Sequence, residues 1–451
     1  MSVTDPHFDV AVIGAGPAGM SAAATAAGHG LRVVLIDSGR QLGGQYFRHP
    51  APGLTAPWLS KLRHGWSHFE QLAARIEASL RIDVLFEHQV WAIEPGFTVR
   101  TDRGPIAAAN VVLATGSYER VVPFPGWDLP GVVTAGGAQA LLKGNLVLPG
   151  QRVVVAGTGP LLLPVAAGLS VAGAKVLGLF EANPLRGYAK HPIPLLTNPS
   201  KLLEAADYAR RFVGNRVPVR SGFIVIEAQG ADSLEAVVVA RPDGTGRRRI
   251  PCDALAIGYG LAPQIDLGLT LGCDHTLLAD GTVALRVDTD QRTSIPDFYA
   301  VGETAGIAGV QTSIAEGAIA GLVIAGDRTG LKALRRRRDR QRTLADVIRT
   351  QHPIPPAWRD HLTPDTVVCR CEEVPAGAIT EAVEHLGATD TRTVKLLTRA
   401  GMGWCQGRVC GYAIACLAGG GPPTDLLAAA KRPLARPVPL GVLAGQDQRN
   451  N

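Results

Sequence analysis

The feature that most constrains the fold is a strand–turn–helix–strand unit that occurs twice in the chain. The first unit begins with a strand pattern over residues 9–13, continues through a glycine turn into an alanine-rich helix, and ends at Asp37. The second unit begins at Arg152 and ends at Glu181. Units of this kind form parallel sheets covered by helices, so the sequence predicts an α/β protein.

The first turn predicts a binding site for a dinucleotide. Gly14 makes the tight turn, Gly16 lets the backbone approach a pyrophosphate, and Gly19 lets the helix pack against the strand. The helix N-terminus directs free N–H groups at the phosphates, and Asp37 can accept hydrogen bonds from a ribose hydroxyl. The competing interpretation is a glycine-rich turn without a ligand, which the complete strand, helix and acid disfavour.

The second turn keeps only part of this pattern. Gly157, Gly159 and Pro160 are present, but Leu162 replaces the third glycine, where close packing of helix and strand favours a residue without a side chain. Glu181 would favour the free 2′-hydroxyl of NAD. Two interpretations stay open: a site for NAD(P) or another adenine nucleotide, and a structural unit that has lost its ligand.

Two such units in tandem resemble the two-dinucleotide-binding-domain flavoproteins, in which an NAD-type Rossmann domain is inserted into an FAD domain. The segment from Ala114 to Gly116 resembles the turn that leaves the FAD domain, and Gly302 with Glu303 resembles the second FAD fingerprint. That family usually has Asp at the position of Glu303. The resemblance implies FAD binding by Gly14, Gly16, Pro17, Ala18, Gly19, Asp37, Gly44, Gln45, Ala114, Thr115, Gly116, Gly302 and Glu303.

Disulfide reductases of this fold carry a redox-active cysteine pair beside the flavin. The segment after Asp37 contains no cysteine, and Cys252 and Cys273 are isolated in the sequence. Isolated cysteines of this kind usually pack as small apolar residues. The sequence therefore excludes a thioredoxin- or glutathione-type reductase.

Four cysteines near the C-terminus form two close pairs, Cys369 with Cys371 and Cys405 with Cys410. Four thiolates in two pairs can hold a [2Fe-2S] cluster, and they can equally hold a structural zinc ion. The flavin domain on the same chain favours the redox cluster. The arrangement resembles the bacterioferritin-associated ferredoxin domain, although the second pair is more widely spaced here. Cys416 lies outside the pairs and is predicted to be a packing residue.

These features divide the chain into five predicted parts. They are an FAD-binding domain (1–125 and 265–329), an inserted dinucleotide-binding domain (126–264), a basic linker (330–364), a helical [2Fe-2S] domain (365–420) and an extended proline-rich tail (421–451).

Further motifs narrow the resemblance. Residues 118–132, the turn at 157–162 and the segment 399–408 together resemble the FAD-binding large subunits of heteromeric opine and D-hydroxyproline dehydrogenases, a group that includes the B subunit of hydrogen cyanide synthase. The resemblance implies partner subunits: a flavoprotein resembling D-amino-acid oxidase and a small ferredoxin-like subunit. In such assemblies the partner oxidises the substrate.

Charge and hydropathy limit the other partners. Much of the net charge of +6 lies in a run of arginines at residues 335–338, which does not favour nucleic acid. The apolar stretch at 153–180 is divided by glycine and proline, so no transmembrane segment is predicted. The first residues lack a signal-peptide pattern, and we expect a cytoplasmic location.

The sequence therefore predicts an electron-transfer subunit of an amine or imino-acid dehydrogenase with FAD and a [2Fe-2S] cluster. No substrate site is recognisable, and the catalytic residues stay unknown. One alternative is a self-sufficient NAD(P)H-dependent acceptor reductase. Another is an assembly scaffold with empty sites, which the intact glycine turn disfavours.

Overall fold

The computed structural model describes residues 8–278, 280–419, 432 and 434–447. The first sheet has the strand order β3-β2-β1-β6-β5-β4, with β19 beside β6. Its strands β1, β2, β3 and β19 run parallel to their neighbours, and β4 and β5 are antiparallel. The bounds are β1 Phe8–Ile13, β2 Val33–Ile36, β3 Ile82–Leu85, β4 Val90–Glu94, β5 Thr98–Thr101, β6 Gly104–Leu113 and β19 Phe298–Ala300.

The second sheet is parallel throughout, with the order β11-β10-β9-β15-β8. A three-stranded antiparallel sheet, β12-β13-β14, follows β11 in the chain. The bounds are β8 Val132–Thr134, β9 Arg152–Thr158, β10 Lys175–Glu181, β11 Val219–Ser221, β12 Ile224–Gln229, β13 Ala236–Ala240, β14 Arg248–Pro251 and β15 Ala254–Tyr259.

Three two-stranded pairs complete the strands. The pair β7–β16 joins the two large sheets, because β7 leaves the first sheet and β16 returns the chain from the second. The bounds are β7 Ser117–Glu119 with β16 Leu261–Pro263, β17 His275–Leu277 with β18 Val283–Leu285, and β20 Val367–Cys369 with β21 Val374–Pro375.

Helices cover both parallel sheets, as the apolar composition of the strands requires. Their bounds are α1 Pro17–Gly28, α2 Trp66–Glu77, α3 Ala135–Asn145, α4 Leu162–Val171, α5 Pro192–Leu196, α6 Pro199–Gly214, α7 Asp266–Leu271, α8 Val310–Ile324, α9 Leu331–Gln351, α10 Ala376–Glu384, α11 Thr391–Thr398, α12 Gly411–Gly419 and α13 Leu440–Asp447. The architecture confirms the predicted fold class, including the small helical C-terminal domain.

Helices α1 and α8 pack closely because small residues face each other. A Cβ atom on Gly317 would lie 2.1 Å from the carbonyl oxygen of Ala18, and one on Gly321 would lie 2.8 Å from Cβ of Thr25. Any side chain at these two positions would force the helices apart. The contact fixes the segment around Gly302 against the first glycine turn.

Most of the segment predicted as a basic linker is a helix. Residues Leu331–Gln351 form α9, which buries Leu331, Arg338, Leu344 and Val347. The segment is rich in Leu, Ala, Arg and Gln, which favour helix. Here α9 packs on α8 and is part of the folded body.

The tail predicted to be extended lies partly outside the described residues, including Pro422, Pro423 and Pro433. Within the described part, Leu440–Asp447 is helical, so this stretch differs from the prediction. Pro439 immediately precedes the helix, a position that proline tolerates. Among the described residues, no helix is long and apolar enough to cross a bilayer.

Candidate functional site

The first glycine turn combines two packed glycines with one that faces open space. A Cβ atom on Gly14 would lie 2.4 Å from the carbonyl oxygen of Ala114, and one on Gly19 would lie 1.8 Å from that of Gly14. A Cβ atom on Gly16 would meet no atom within 4 Å. The fold therefore requires Gly14 and Gly19, whereas the space at Gly16 is available to a ligand.

The space beside Gly16 lies at the N-terminus of α1. Gly16 is the N-cap residue, no side chain caps the helix, and Pro17 occupies the first turn. The uncapped N–H groups of this turn can bind an anion such as a pyrophosphate. Gly44 closes the other side, since a Cβ atom on it would lie 2.8 Å from Cα of Gly16. The turn thus fits the FAD pyrophosphate that the sequence predicts.

Asp37 stands at the end of β2, beside the first turn. One carboxylate oxygen accepts a hydrogen bond of 2.6 Å from the N–H of Ala15, and the other accepts one of 2.6 Å from the N–H of Gly39. Each oxygen has a second lone pair. Asp37 therefore stabilises the turn and can still accept a further hydrogen bond. Its bond to a ribose hydroxyl stays a prediction.

The predicted exit turn lies where the chain leaves the first sheet. The Thr115 hydroxyl donates to the carbonyl oxygen of Gln264 at 2.6 Å, and the Gln264 N–H donates to Gly116 at 2.9 Å. The Ala114 N–H donates to Ile13 at 2.9 Å. These bonds join the outgoing and returning chains at the edge of the first glycine turn. Gln45, also predicted to contact FAD, is exposed and accepts a hydrogen bond from Arg48.

The second FAD fingerprint meets the first at Gly302. Its φ of +70° suits glycine, and a Cβ atom there would lie 2.9 Å from Cβ of Ala18. The neighbouring Glu303 accepts a hydrogen bond from the Ser117 hydroxyl. Burial raises the pKa of Glu303, and the bond from Ser117 opposes that rise. Glu303 therefore faces the exit strand β7, where its longer side chain reaches Ser117.

A buried ion pair beside this fingerprint was not predicted. Glu316 of α8 is fully buried and accepts a 2.9 Å hydrogen bond from the N–H of Gly302. Arg342 of α9 donates to the same carboxylate at 2.7 Å and to the carbonyl oxygen of Ala305 at 3.1 Å. The helix from the predicted linker thus supports the FAD fingerprint. The sequence feature that could have indicated this ion pair is the single acid within the apolar helix α8.

We expect Arg342→Met to destabilise the FAD domain and weaken FAD retention. The substitution would leave the Glu316 carboxylate buried without its counter-charge, which costs about 3 kcal/mol for a pair of this kind. Arg342 is partly exposed, so relaxation toward water keeps the cost at the lower end of the range. Denaturant unfolding monitored by flavin release measures the effect. Arg340→Met on the exposed face of α9 is the control, and equal unfolding of the two variants would contradict the role of the pair.

The second glycine turn matches the first only at its first glycine: Gly14 and Gly157 both have a positive φ, whereas Gly16 has a φ of −75° that Gly159 does not share. Gly157 has a φ of +124° and approaches Gly258 so closely that a Cβ atom would lie 1.9 Å from its carbonyl oxygen. Gly159 has a φ of +104° and faces open space. Leu162, the residue that replaces the third glycine, is buried at the start of α4 and packs in the core with β15. Pro160 lies between these two residues and accepts a hydrogen bond from Leu163.

The acid of the second unit is already bound by protein groups. The Glu181 carboxylate accepts hydrogen bonds from Thr158 at 2.9 Å, from the N–H groups of Gly159 and Asn183 at 3.0 Å each, and pairs with His352 at 3.2 Å. Burial raises its pKa, but the hydrogen bonds and His352 outweigh burial and lower it. Three of these contacts are to Oε1, so a ribose hydroxyl could bond without displacing a partner only at Oε2, which accepts from Gly159 alone.

His352 follows the last residue of α9 and covers the second turn. Its other ring nitrogen lies 2.7 Å from the Tyr188 hydroxyl, and the Asn183 side chain donates to the carbonyl oxygen of Pro353 at 2.8 Å. The chain after α9 therefore closes over Glu181. No motif marks His352 in the sequence, because its partners are distant along the chain.

The four predicted cluster ligands come together in the C-terminal domain. The Cys410 thiol hydrogen-bonds with Cys369 and Cys405, and Cys371 contacts Cys405. These contacts lower the pKa of Cys369 to about 6 and that of Cys405 to about 5, and they raise the pKa of Cys410, so Cys369 and Cys405 favour the thiolate while Cys410 keeps its proton. Cys369 and Cys410 are buried, whereas Cys371 is exposed. The set fits a cluster that reaches the protein surface on one side.

Glycines bring the backbone close to the four thiols. The Gly401 N–H lies 3.4 Å from Sγ of Cys369, and a Cβ atom on Gly403 would lie 2.2 Å from Cβ of Cys371. The backbone at these two glycines therefore packs directly against the cysteines. In the part of the chain that the structure describes, no group of three or more His, Cys, Asp or Glu side chains is spaced to hold a single metal ion.

Two arginines near the cysteines have carboxylate partners. Arg399 pairs with Glu372 at 2.9 Å, and Arg408 pairs with Asp266 at 3.4 Å. Their positive charge is therefore shared with these acids and is only partly available to offset an anionic cluster. Arg370 instead lies 5.3 Å from the ring centre of Trp127. The isolated cysteines Cys252, Cys273 and Cys416 are all buried in the core.

Family models match two parts of the chain. Residues 8–317 match the pyridine nucleotide-disulphide oxidoreductase family, and residues 367–417 match the BFD-like [2Fe-2S] binding domain. The second match spans all four paired cysteines.

Relatives match over most of their length. Hydrogen cyanide synthase subunit HcnB of Pseudomonas protegens is 34% identical over 89% of this chain and 90% of its own. An opine oxidase subunit of Rhizobium meliloti is 33% identical over 97% of this chain and 98% of its own. The crystal structure of L-proline dehydrogenase from P. horikoshii superposes with a TM-score of 0.68 and 21% identity, covering 97% of this chain and 79% of that one. That similarity shows a shared fold.

Proposed function

Since the chain belongs to the pyridine nucleotide-disulphide oxidoreductase family and carries a BFD-like [2Fe-2S] domain, we propose that it is the electron-transfer subunit of a heteromeric amine or imino-acid dehydrogenase. The observation that carries the proposal is the contact between the two cofactor regions. Gln264 bonds to the exit turn at Gly116. Two residues later, Asp266 pairs with Arg408 in the cysteine loop. An ion pair therefore joins the segment beside the predicted FAD site to the loop that carries two of the predicted cluster ligands.

When bound, FAD exchanges electron pairs or single electrons, and a [2Fe-2S] cluster carries one electron at a time. The residues of the chain hold and orient these groups. We assign the FAD pyrophosphate to the turn at Gly14 and Gly16, and the cluster to Cys369, Cys371, Cys405 and Cys410. Arg408 donates to the carbonyl oxygen of Cys405 at 3.2 Å, which fixes the cysteine loop beside the ion pair with Asp266.

We assign substrate oxidation to a partner protein. The relatives are named as subunits of opine oxidase and hydrogen cyanide synthase, which supports a multi-subunit enzyme. The proposed partners are a flavoprotein resembling D-amino-acid oxidase and a small ferredoxin-like subunit. The proposed substrates are opines, hydroxyproline or proline.

The experiment is a comparison of the lone chain with the co-expressed complex. Each is given proline, hydroxyproline, glycine or an opine together with a redox dye, under the same conditions. We expect dye reduction only by the complex, because the partner supplies the substrate site. Oxidation of an amine at the full rate by the lone chain would refute the proposal.

The rival function, an NAD(P)H-dependent reductase, makes the opposite prediction for the second turn. The Glu181 carboxylate is already bound by four protein groups, those of Thr158, Gly159, Asn183 and His352. We therefore expect NADH and NADPH to drive dye reduction at a rate about tenfold or more below the rate that the substrate drives in the complex. Stopped-flow reduction of the flavin measures this rate. Fast reduction by NADH would favour the rival function. An adenine nucleotide bound without redox activity would agree with our proposal.

A further inference from the structure

A cavity of about 90 Å³ lies between the two glycine turns and has no role in the function proposed above. One wall is the segment that follows Gly44, beginning with Tyr46. The opposite wall is the start of α4, where Leu161 follows the second turn. Helices α3 and α6 complete the walls with Lys143 and Tyr208. A ligand here would contact both dinucleotide-binding domains.

Two cations that line this cavity have no carboxylate partner among the described residues. Arg48 donates to the neutral side chain of Gln45 at 2.5 Å, and its Nε is buried without a hydrogen bond. Lys143 makes no hydrogen bond or ion pair with any described residue. A Cβ atom on Gly144 would lie 3.4 Å from Cδ of Arg48, so the arginine lies against the end of α3 next to Lys143. Cations that are partly buried without partners favour an anion.

The pKa values agree with this geometry. Burial lowers the pKa of Lys143 to about 8, and burial also lowers that of Arg48. No described carboxylate offsets either shift. Lys143 lies in the last turn of α3, so the carbonyl end of that helix stabilises its charge, but it supplies no carboxylate.

Three cations, Arg48, Arg63 and Lys143, and one acid, Glu204, line the cavity, so its lining is net positive. Glu204 pairs with Lys201 at 2.6 Å at the partly exposed rim, and its charge also acts on the hydroxyls of Tyr46 and Tyr208. Arg63 lies 4.3 Å from the ring centre of Trp66 and adds a further positive charge. Burial and neighbouring cations lower the pKa of His64, so its ring is neutral near pH 7.

Neutral hydrogen-bond donors and an apolar wall face the same space. Burial raises the pKa of Tyr46 to about 12 and raises that of Tyr208, so both hydroxyls keep their protons. Neither hydroxyl bonds to another described residue, and each can donate to a ligand. Leu59, Leu62 and Leu161 provide apolar surface. An inorganic anion would leave that surface unused.

We propose that this cavity binds a small organic carboxylate. Its charged group lies between Arg48 and Lys143, the hydroxyls of Tyr46 and Tyr208 donate to it, and its carbon chain packs on Leu59. The cavity volume of about 90 Å³ suits a ligand of a few heavy atoms better than a whole dinucleotide. The proposal assigns binding and no reaction to the cavity, and it does not depend on the proposed function.

The test is acylation of Lys143 in the full-length, FAD-loaded protein, followed by mass spectrometry. Without ligand at pH 8, we expect Lys143 to react far faster than the exposed Lys175, because about half of its amine is neutral. A bound carboxylate that restores the usual lysine pKa lowers the neutral fraction on the order of 100-fold. The probes are butyrate, acetate, inorganic phosphate and neutral butyramide.

Stronger protection of Lys143 by butyrate than by acetate or phosphate, with none from butyramide, supports the proposal. Equal labelling with and without butyrate overturns it, as does protection by phosphate alone. Flavin-free protein is labelled in parallel, and complete protection of Lys143 by FAD alone, with no further effect of butyrate, overturns the proposal because it assigns the cavity to the flavin. Calorimetry measures butyrate binding by matched variants. Arg48→Met and Lys143→Met should each weaken that binding about tenfold or more, while Lys175→Met should not.

Discussion

Gly16→Val is expected to abolish FAD retention while leaving the fold intact. Gly16 has a φ of −75° and a ψ of −178°, which valine adopts without strain, and a Cβ atom there would meet no protein atom within 4 Å. The side chain would instead occupy the space assigned to the pyrophosphate. We expect FAD affinity to fall on the order of 100-fold or more. Flavin absorbance of the purified variant, with circular dichroism for the fold, measures both effects.

Gly19→Ala provides the contrasting control. Its Cβ atom would lie 1.8 Å from the backbone oxygen of Gly14, so α1 would have to move away from β1. This variant should lose stability as well as flavin. FAD retention by Gly16→Val at the wild-type level would refute the assignment of the turn.

Cys405→Ser is expected to remove the cluster. Anaerobically purified wild-type protein should contain about two irons per chain and give a [2Fe-2S] resonance signal after reduction. Cys405 contacts both Cys371 and Cys410, so its replacement removes the thiol at the centre of the set. Iron analysis and electron paramagnetic resonance should both show the loss.

Cys416→Ser is the matched control, because Cys416 is a buried cysteine of the same domain that lies outside the two pairs. A serine there places a hydroxyl in the core and costs stability of about 1–3 kcal/mol, but the iron content should stay unchanged. Zinc in place of iron in the wild-type protein, or full iron in Cys405→Ser, would contradict the cluster assignment.

Features that depend on local sequence could be predicted. The turn at Gly14 and Gly19 follows from the close approach of helix and strand, and that constraint produces a recognisable glycine spacing. The four cysteines were found because metal ligands occur in close pairs. In both cases the physical requirement acts over a few residues, so it leaves a pattern in the sequence.

Features that depend on contacts between distant segments could not be predicted. Arg342 was hidden within an arginine-rich segment, and only the packing of α9 on α8 places it beside Glu316. The bond between His352 and Glu181 likewise joins residues that are far apart in the chain. The helix α9 itself was missed because its charge suggested a solvated linker, although its residues favour helix. Such contacts are set by tertiary packing and have no fixed spacing.

The central claim is that this chain carries electrons from a substrate that a partner oxidises. The most direct measurement is the electron paramagnetic resonance signal of the cluster after anaerobic addition of the best substrate, with and without the co-purified partner. We predict that the reduced [2Fe-2S] signal appears only with the partner present, and that Cys405→Ser abolishes it. A cluster that stays oxidised in the complete, substrate-reduced complex, or one that the substrate reduces fully in the lone chain, would contradict the account.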